Sequence, residues 1–351
     1  VDAPWLVSAN YFYDLDNSKV TVTPCAENKT IDPNNTRDCR NTYVRAYGGL
    51  RMGGEGMYGL DLTDKNNPKM LFRIDSATTG FDRMGQIWSK PTKAKIKTSA
   101  TDTGTDVLIF GGGYDTCYED ENYQVGTITS TLTNQRGSSC NRTTNREALG
   151  NAVYIINAKT GALIWSATKT ANSEGTSNTT NDNLNNSIVG GITALDRNND
   201  GYMDQLYFAD MGGQVFRADF TNAGFIKPVS SGTAAPETSF SNTRVVRLLQ
   251  PAFTGTDIKY NHRFYERPAV SFYRGDSTFN NSRLFAVVNV ISGDRSSPLS
   301  KIRPIDKADR LYGIIDNDVT KANSIFFAND FTTTNANKQT VVDLADTDLV
   351  D

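Results

Sequence analysis

The sequence predicts an all-β protein whose short strands are gathered into the blades of a modified β-propeller. Helical periodicity is nearly absent from the 351 residues, so a helical or mixed fold is disfavoured. A unit of apolar strand, glycine turn and aromatic strand instead recurs along the chain. A loop rich in oxygen ligands, residues 196–204, joins two such strands. These three observations together favour a propeller that carries a metal loop.

The repeated unit ends its aromatic strand in Asp or Asn and then adds a short return strand. Copies of this unit cover residues 43–74, 107–166, 205–226 and 283–316. A blade buries its faces only against its neighbours, so a recurring unit of about four strands is typical of a propeller. A β-sandwich remains the alternative. The short apolar run 244–249 cannot be assigned to a strand or a helix from its pattern.

Residues 196–204 place side-chain oxygens at alternate positions of a tight loop. A hard cation such as Ca²⁺ is held by roughly six to eight oxygen atoms, and alternate residues of such a loop supply them. Gly201, at the sixth position, permits the sharp turn. The sequence therefore predicts one Ca²⁺, structural or sensing; the alternative is an acidic, Asn-rich turn that binds no ion. The expected ligands are the side chains of Asp196, Asn198, Asp200 and Asp204 and the carbonyl of Tyr202.

The flanks of this loop distinguish it from an EF-hand. The twelfth position, where an EF-hand has a glutamate that closes the ligand shell, is Tyr207. Closure must therefore come from Asp204. Both flanking segments, 188–195 and 205–209, are rich in β-branched and aromatic residues, so we expect the loop to lie between strands rather than helices.

Charge and hydropathy exclude two classes of partner. The chain has 36 basic and 39 acidic residues and a net charge of −3, with the signs interspersed. We therefore expect no nucleic-acid partner. No apolar run is long enough to span a bilayer, and no signal-peptide core is visible, so no direct membrane insertion is expected. Because the chain starts at Val1 rather than Met, we expect a mature piece or an excised domain.

The four cysteines suggest two local disulfides. Proximity in sequence favours Cys25 with Cys39 and Cys117 with Cys140, although three pairings are open. Two disulfides indicate a compartment outside the reducing cytosol. The alternative is free or metal-bound thiols, but no Cys-x-x-Cys pair is present and the chain has one His, so structural zinc is disfavoured.

Five motifs occur in a fixed order along residues 43–318. Three precede the metal loop: Gly-Met-Tyr-Gly-Leu-Asp-Leu-Thr-Asp at 56–64, Gly-Gln-Ile-Trp-Ser-Lys-Pro at 85–91 and Ala-Lys-Thr-Gly at 158–161. Two follow it: Ala-Asp-Met-Gly-Gly-Gln-Val-Phe-Arg at 209–217 and Leu-Tyr-Gly-Ile-Ile-Asp at 311–316. This series resembles the C-terminal β-propeller domain of the PilY/PilC family of type IV pilus biogenesis factors and tip adhesins. The resemblance implies a quinoprotein-like propeller of seven irregular blades. Asn198 departs from the acidic residue that relatives often have.

The resemblance also implies a function and a domain organisation. We expect a calcium-binding pilus assembly and tip adhesin domain that promotes extension, opposes retraction and supports surface adhesion. Its partners would be pilins or minor pilins and a host or abiotic surface, and its location would run from the periplasm to the outer surface, at the pilus tip (fimbrium). Residues 1–351 would form one C-terminal propeller domain with a flexible or docking tail at 330–351, and the family's N-terminal adhesive region would be absent.

Two other functions compete with this one. Quinoprotein-like dehydrogenases use a similar propeller and motifs such as 160–165, but Trp165 is better explained as a core residue. No vicinal cysteines and no carboxylate and amide set for a quinone are found, and His262 has no matching nucleophile. We therefore expect no enzyme. The tripeptide Arg274-Gly275-Asp276 suggests an integrin ligand or, alternatively, an ordinary turn.

Overall fold

The structure, a computed structural model, describes most of the chain. The described residues are 3–10, 43–127, 130–141, 147–172, 178–226, 235–276, 283–320 and 326. They contain sixteen β-strands, which are joined by turns, bends, short 3₁₀ turns, isolated bridges and irregular segments, and one helical position, Phe326. The predicted fold class is confirmed: the protein is all-β, and its strands form successive blade-like sheets.

The strands form four sheets, and spatial order follows chain order in every sheet. The first sheet contains β1 (Leu6–Asn10), β2 (Tyr43–Gly49), β3 (Met57–Asp61) and β4 (Lys69–Ile74). The second contains β5 (Thr92–Ile96), β6 (Thr105–Gly111), β7 (Ala152–Asn157), β8 (Leu163–Thr168) and β9 (Asn178–Thr180). The third contains β10 (Thr193–Leu195), β11 (Gln205–Ala209), β12 (Val215–Thr221) and β13 (Ser241–Leu249), and the fourth β14 (Ala269–Arg274), β15 (Leu284–Ile291) and β16 (Leu311–Asp316). All pairings are antiparallel except that of β8 with β9.

Each sheet packs against the next through its own hydrophobic cluster. Phe72 of the first sheet shares a cluster with Phe110 of the second, and Trp165 of the second shares one with Phe216 of the third. A further cluster joins the third and fourth sheets. Because successive sheets bury their faces against each other, the arrangement is that of propeller blades.

The described residues contain four sheets, and the expected number of seven blades stays a prediction for the whole chain. The run 244–249, which had no assignment, is the second half of β13 and completes the third sheet. The expected return strand at 224–226 forms only an isolated bridge between Ile226 and Pro236. The tail 330–351 lies outside the described residues.

A disulfide and an aromatic cluster fix the long connection between β6 and β7. Cys117 and Cys140 are bonded, with Cα atoms 5.4 Å apart, as predicted. Both are fully buried beside Tyr114 and Tyr118. The predicted Cys25–Cys39 pair lies outside the described residues. Nowhere in the described chain is there a helix with the length and apolarity needed to cross a membrane.

Candidate calcium site between strands β10 and β11

The predicted metal loop joins two paired strands, as expected from its flanks. Leu195, the last residue of β10, pairs with Gln205, the first of β11. The amide of Asp204 donates to the carbonyl of Leu195 at 2.9 Å, which closes the base of the loop. The loop turns through two residues with positive φ, Asn199 at 60° and Gly201 at 92°. The sheet therefore anchors both ends of the nine-residue loop.

The exposed part of the loop is held by its own side chains. Both carboxylate oxygens of Asp196 accept amide hydrogens, from Asp200 at 3.1 Å and from Gly201 at 2.7 Å. The side chain of Asn198 accepts from the amide of Asp200 and donates to its carboxylate. The carboxylate of Asp200 also accepts from the amide of Tyr202 at 2.9 Å. The structure therefore joins Asp196, Asn198 and Asp200 in one exposed turn.

Asp204 differs from these three because it is buried, with 8% of its surface exposed. Its carboxylate accepts the amide of Arg197 at 2.9 Å and the side-chain amide of Asn222 at 3.3 Å. Burial raises the pKa of the Asp204 carboxyl to about 6, and the charges of Asp200 and Asp196 push it in the same direction. The loop therefore concentrates negative charge beside a poorly solvated carboxylate.

The donor set suits a hard divalent cation, because every expected ligand atom is oxygen. A cation would also relieve the repulsion that raises the pKa of Asp204. The carboxylates are nevertheless engaged with amides rather than gathered around one point. Across the described ranges, no group of three or more His, Cys, Asp or Glu side chains is placed to hold a metal ion. Chemistry and position fit calcium, while the calcium loop itself stays a prediction.

Arg197, inside the loop, makes long-range contacts that were not predicted from the sequence. Its Nε donates to the carbonyl of Val319 at 2.7 Å, and its guanidinium lies 4.2 Å from the centroid of the Phe326 ring. Arg244 of β13 lies at the same distance from that ring. The loop is thus packed against a part of the chain more than a hundred residues away, a relationship that no local pattern reveals.

A buried ion-pair cluster lies behind this ring. Arg217 is fully buried and donates to Asp219 at 2.9 Å and to Asp316 of the fourth sheet. Arg244 also pairs with Asp219. Burial alone would raise the pKa of Asp219, but Arg217 and Arg244 outweigh it and hold that pKa below its usual value. The cluster joins the third and fourth sheets next to the candidate calcium loop.

Part of the chain is similar in sequence to known proteins. No protein-family profile matches the chain. Over 219 residues, 60% of the chain, it is 27% identical to the type IV pilus biogenesis factor PilY1 of Pseudomonas aeruginosa, in strains PAO1 and PAK alike. The chain is similar to PilY1. The predicted resemblance to the PilY/PilC family is confirmed by this match.

The match covers 14% of the length of PilY1. Among solved structures, the crystal structure of the P. aeruginosa PilY1 C-terminal domain aligns with 82% of this chain and with 48% of the length of the PilY1 structure. The sequence identity is 22% and the TM-score is 0.49. The structure of BamB from Moraxella catarrhalis aligns with 72% of this chain and with 59% of the length of BamB, with 12% identity and a TM-score of 0.22.

The possible adhesion motif lies at the end of β14, far along the chain from the loop discussed above. Arg274 is the last residue of that strand, and both Arg274 and Asp276 are exposed. The amide of Gly275 donates to the carbonyl of Arg283 at 2.9 Å. Exposure is compatible with adhesion, and the integrin ligand stays a prediction.

Two residues considered for catalysis, His262 and Trp165, are buried and have structural partners. His262 is buried; its Nε2 lies 3.1 Å from the carbonyl of Ala308, and its Nδ1 contacts the hydroxyl of Tyr312. Burial lowers the pKa of His262, which favours the neutral ring. Trp165 is 4% exposed and donates to the hydroxyl of Thr179 at 3.0 Å. Both side chains therefore have packing roles.

Proposed function

We propose that this chain is a calcium-binding propeller domain of a type IV pilus biogenesis factor, which supports pilus assembly, opposes retraction and contributes to surface adhesion. Its partners would be pilins or minor pilins together with a host or abiotic surface, and it would act between the periplasm and the pilus tip. The similarity to PilY1 supports the pilus assignment. The position of the acidic loop on a sheet supports the role of calcium.

The observation that carries the proposal is that one loop contains both an exposed acidic turn and the buried carboxylate of Asp204. Calcium would be held by Asp196, Asn198, Asp200 and Asp204 and by the carbonyl of Tyr202. The ion supplies positive charge, which reduces the net charge of the three carboxylates from about −3 to about −1. The exposed side chains of Asp196 and Asp200 can turn toward Asp204 without disturbing the core.

Calcium would stabilise the domain through contacts that the loop already makes. Asp204 accepts the amide of Arg197, whose side chain reaches Val319 and Phe326. Fixing the loop would therefore also fix the packing of the segment that follows the fourth sheet. A surface made competent in this way could engage a pilin only when calcium is bound.

Surface piliation in a retraction-competent strain tests this function. Cells whose full-length protein carries Asp196→Ala together with Asp200→Ala should display far fewer pili than the wild type. Deleting the retraction motor should restore them, because the proposed activity opposes retraction. Asp64→Ala, which removes an exposed Asx turn in the first sheet, serves as the matched control. Normal piliation of the double variant would contradict the proposal.

A further inference from the structure

A cavity of about 320 Å³ opens where the connections between successive sheets meet. Residues from the turn after β2, from all three inter-sheet connections and from the segment after β15 line it. Six of the lining residues are Arg51, Trp88, Lys90, Tyr265, Arg267 and Arg295. Its volume lies at the lower end of the range for pockets that bind small organic molecules. The cavity belongs to no function described so far.

The lining is strongly cationic. Four basic side chains face one carboxylate, that of Glu266, which already pairs with Arg295. The cavity therefore has a formal charge of +3 from these five groups (four positive, one negative). Three of the four cations are arginines, whose planar guanidinium matches a carboxylate through two parallel hydrogen bonds. The charge predicts an anionic ligand.

Arg51 has an unusual backbone for a residue with a long side chain. Its φ is 53°, and in the described residues the only other non-glycine with positive φ is Asn199 of the calcium loop. Its amide donates to the carbonyl of Ile87 at 3.1 Å, and its guanidinium lies 4.5 Å above the Trp88 ring. Glycine would adopt this conformation without strain. An arginine held here against its backbone preference indicates that its side chain is used.

The other side of the lining is aromatic and rigid. Trp88 stacks on Tyr114 with ring centroids 4.2 Å apart, so its orientation is fixed from below. Tyr265 is 7% exposed, and its hydroxyl lies 3.1 Å from that of Ser296. Aromatic faces and edges pack well against the C–H groups of a sugar ring. The cavity is also larger than a lone carboxylate or phosphate needs, so the ligand has a body as well as a charge.

We propose that this cavity binds an acidic saccharide, a sugar ring that carries a carboxylate. The guanidinium groups of Arg51 and Arg267 receive the carboxylate. The faces of Trp88 are covered by Tyr114 and Arg51, so its edge contacts the ring, together with the exposed part of Tyr265. This site goes beyond the proposed pilus function and does not depend on calcium. It would give the domain a direct means of attachment to a polysaccharide surface.

Gly191 sets the position of Arg267. A Cβ atom at Gly191 would lie 2.9 Å from Nε of Arg267, so any larger residue must push that guanidinium aside. Gly191→Ala therefore moves one cation without changing the charge of the cavity. Arg51→Gly is the complementary change, because it removes a cation and relieves the positive φ. A loss of binding in Gly191→Ala cannot come from a change in net charge, because the charge of the cavity is unchanged. A loss of binding in Arg51→Gly cannot come from added backbone strain, because glycine relieves it.

Calorimetric titration with trigalacturonic acid tests the proposal, in buffer freed of calcium with a chelating resin because the probe itself binds calcium. Wild type should bind this probe and should not bind maltotriose, a neutral trisaccharide. Arg51→Gly, Arg267→Gln and Gly191→Ala should each weaken binding about tenfold or more. Arg73→Gln, which removes an exposed arginine of β4 paired with Asp75, should bind as wild type does. Thermal unfolding of each variant confirms that it is folded.

Several results would overturn the proposal. They are absence of binding by wild type, equal binding of maltotriose, wild-type binding by the three cavity variants, and equal binding of citrate, a carboxylate without a sugar ring. A loss of binding in Arg73→Gln as large as in the cavity variants would have the same meaning. Because calcium is absent throughout, the outcome is independent of the calcium loop.

Discussion

The guanidinium of Arg197 lies 4.2 Å from the centroid of the Phe326 ring, and Arg244 approaches the same ring at the same distance. Arg197 belongs to the candidate calcium loop, whereas Arg244 belongs to β13. One aromatic ring, 2% exposed, thus connects the loop to the outer strand of its sheet. Cation–π contacts of this kind contribute about 0.5–2 kcal/mol each. The ring is therefore positioned to couple order in the loop to order in the rest of the third sheet.

Phe326→Ala tests this coupling. Loss of a buried ring should lower the free energy of unfolding by about 3 kcal/mol, and calcium affinity should fall several-fold because Arg197 loses its packing partner. Urea unfolding and calorimetry measure the two effects. Phe272→Ala, at a ring that is 52% exposed, should change neither. Unchanged calcium affinity in a destabilised Phe326→Ala protein would show that the loop and the ring are independent.

Asp219→Ala should destabilise the protein strongly. The change leaves Arg217 and Arg244 as buried cations without their shared carboxylate. Breaking such a pair from one side removes about 3–5 kcal/mol of stability. The pair of Arg73 with Asp75, in which the Arg73 side chain is 60% exposed, supplies the control, because Arg73→Ala should change stability by less than about 1 kcal/mol. Chemical denaturation that finds equal effects for both would contradict the role of burial.

The Asp102 carboxylate should make the stability of the protein depend on pH. Burial opposes its charged form, yet donors from Thr98, Gly104 and Thr105 lower the pKa of Asp102 to about 2. Since the folded pKa lies below the unfolded value, its contribution to stability is present above about pH 4 and is lost as the pH falls through about 2. Asp102→Asn should therefore destabilise the protein at pH 7 and progressively less below pH 4. A difference in unfolding midpoint that does not change with pH would contradict this assignment.

The Cys117–Cys140 disulfide should contribute substantially to stability. It closes a loop with a sequence separation of 23 residues, for which chain entropy predicts about 3 kcal/mol. Cys117→Ala with Cys140→Ala should lower the free energy of unfolding by that amount, as measured with urea under non-reducing conditions. Dithiothreitol should lower the melting temperature of the wild type. A double variant as stable as the wild type would contradict the prediction.

Local patterns predicted what depends on neighbouring residues. Strand positions followed from β-branched and aromatic runs punctuated by glycine, and the loop 196–204 followed from ligand spacing. β13 escaped assignment because Ser241–Leu249 mixes polar and apolar residues and is mostly half-buried. It is a strand because it pairs with β12, and that pairing is tertiary information.

Long-range features could not be predicted from the sequence. From the sequence, Arg217 would be expected to be a solvent-exposed polar residue of a strand. It is instead fully buried, because Asp219 and Asp316 compensate its charge. The cationic cavity brings together residues from Arg51 to Arg295. No spacing rule relates such distant positions, since only the packing of successive sheets brings them together.

Calorimetric titration of the purified domain with calcium tests the central claim most directly. Wild type should bind one Ca²⁺, and Asp196→Ala with Asp200→Ala should abolish the heat of binding while retaining the β-sheet circular dichroism spectrum. Asp64→Ala should bind as the wild type does. Absence of calcium binding by the wild type at millimolar concentrations, or undiminished binding by the double variant, would contradict the account.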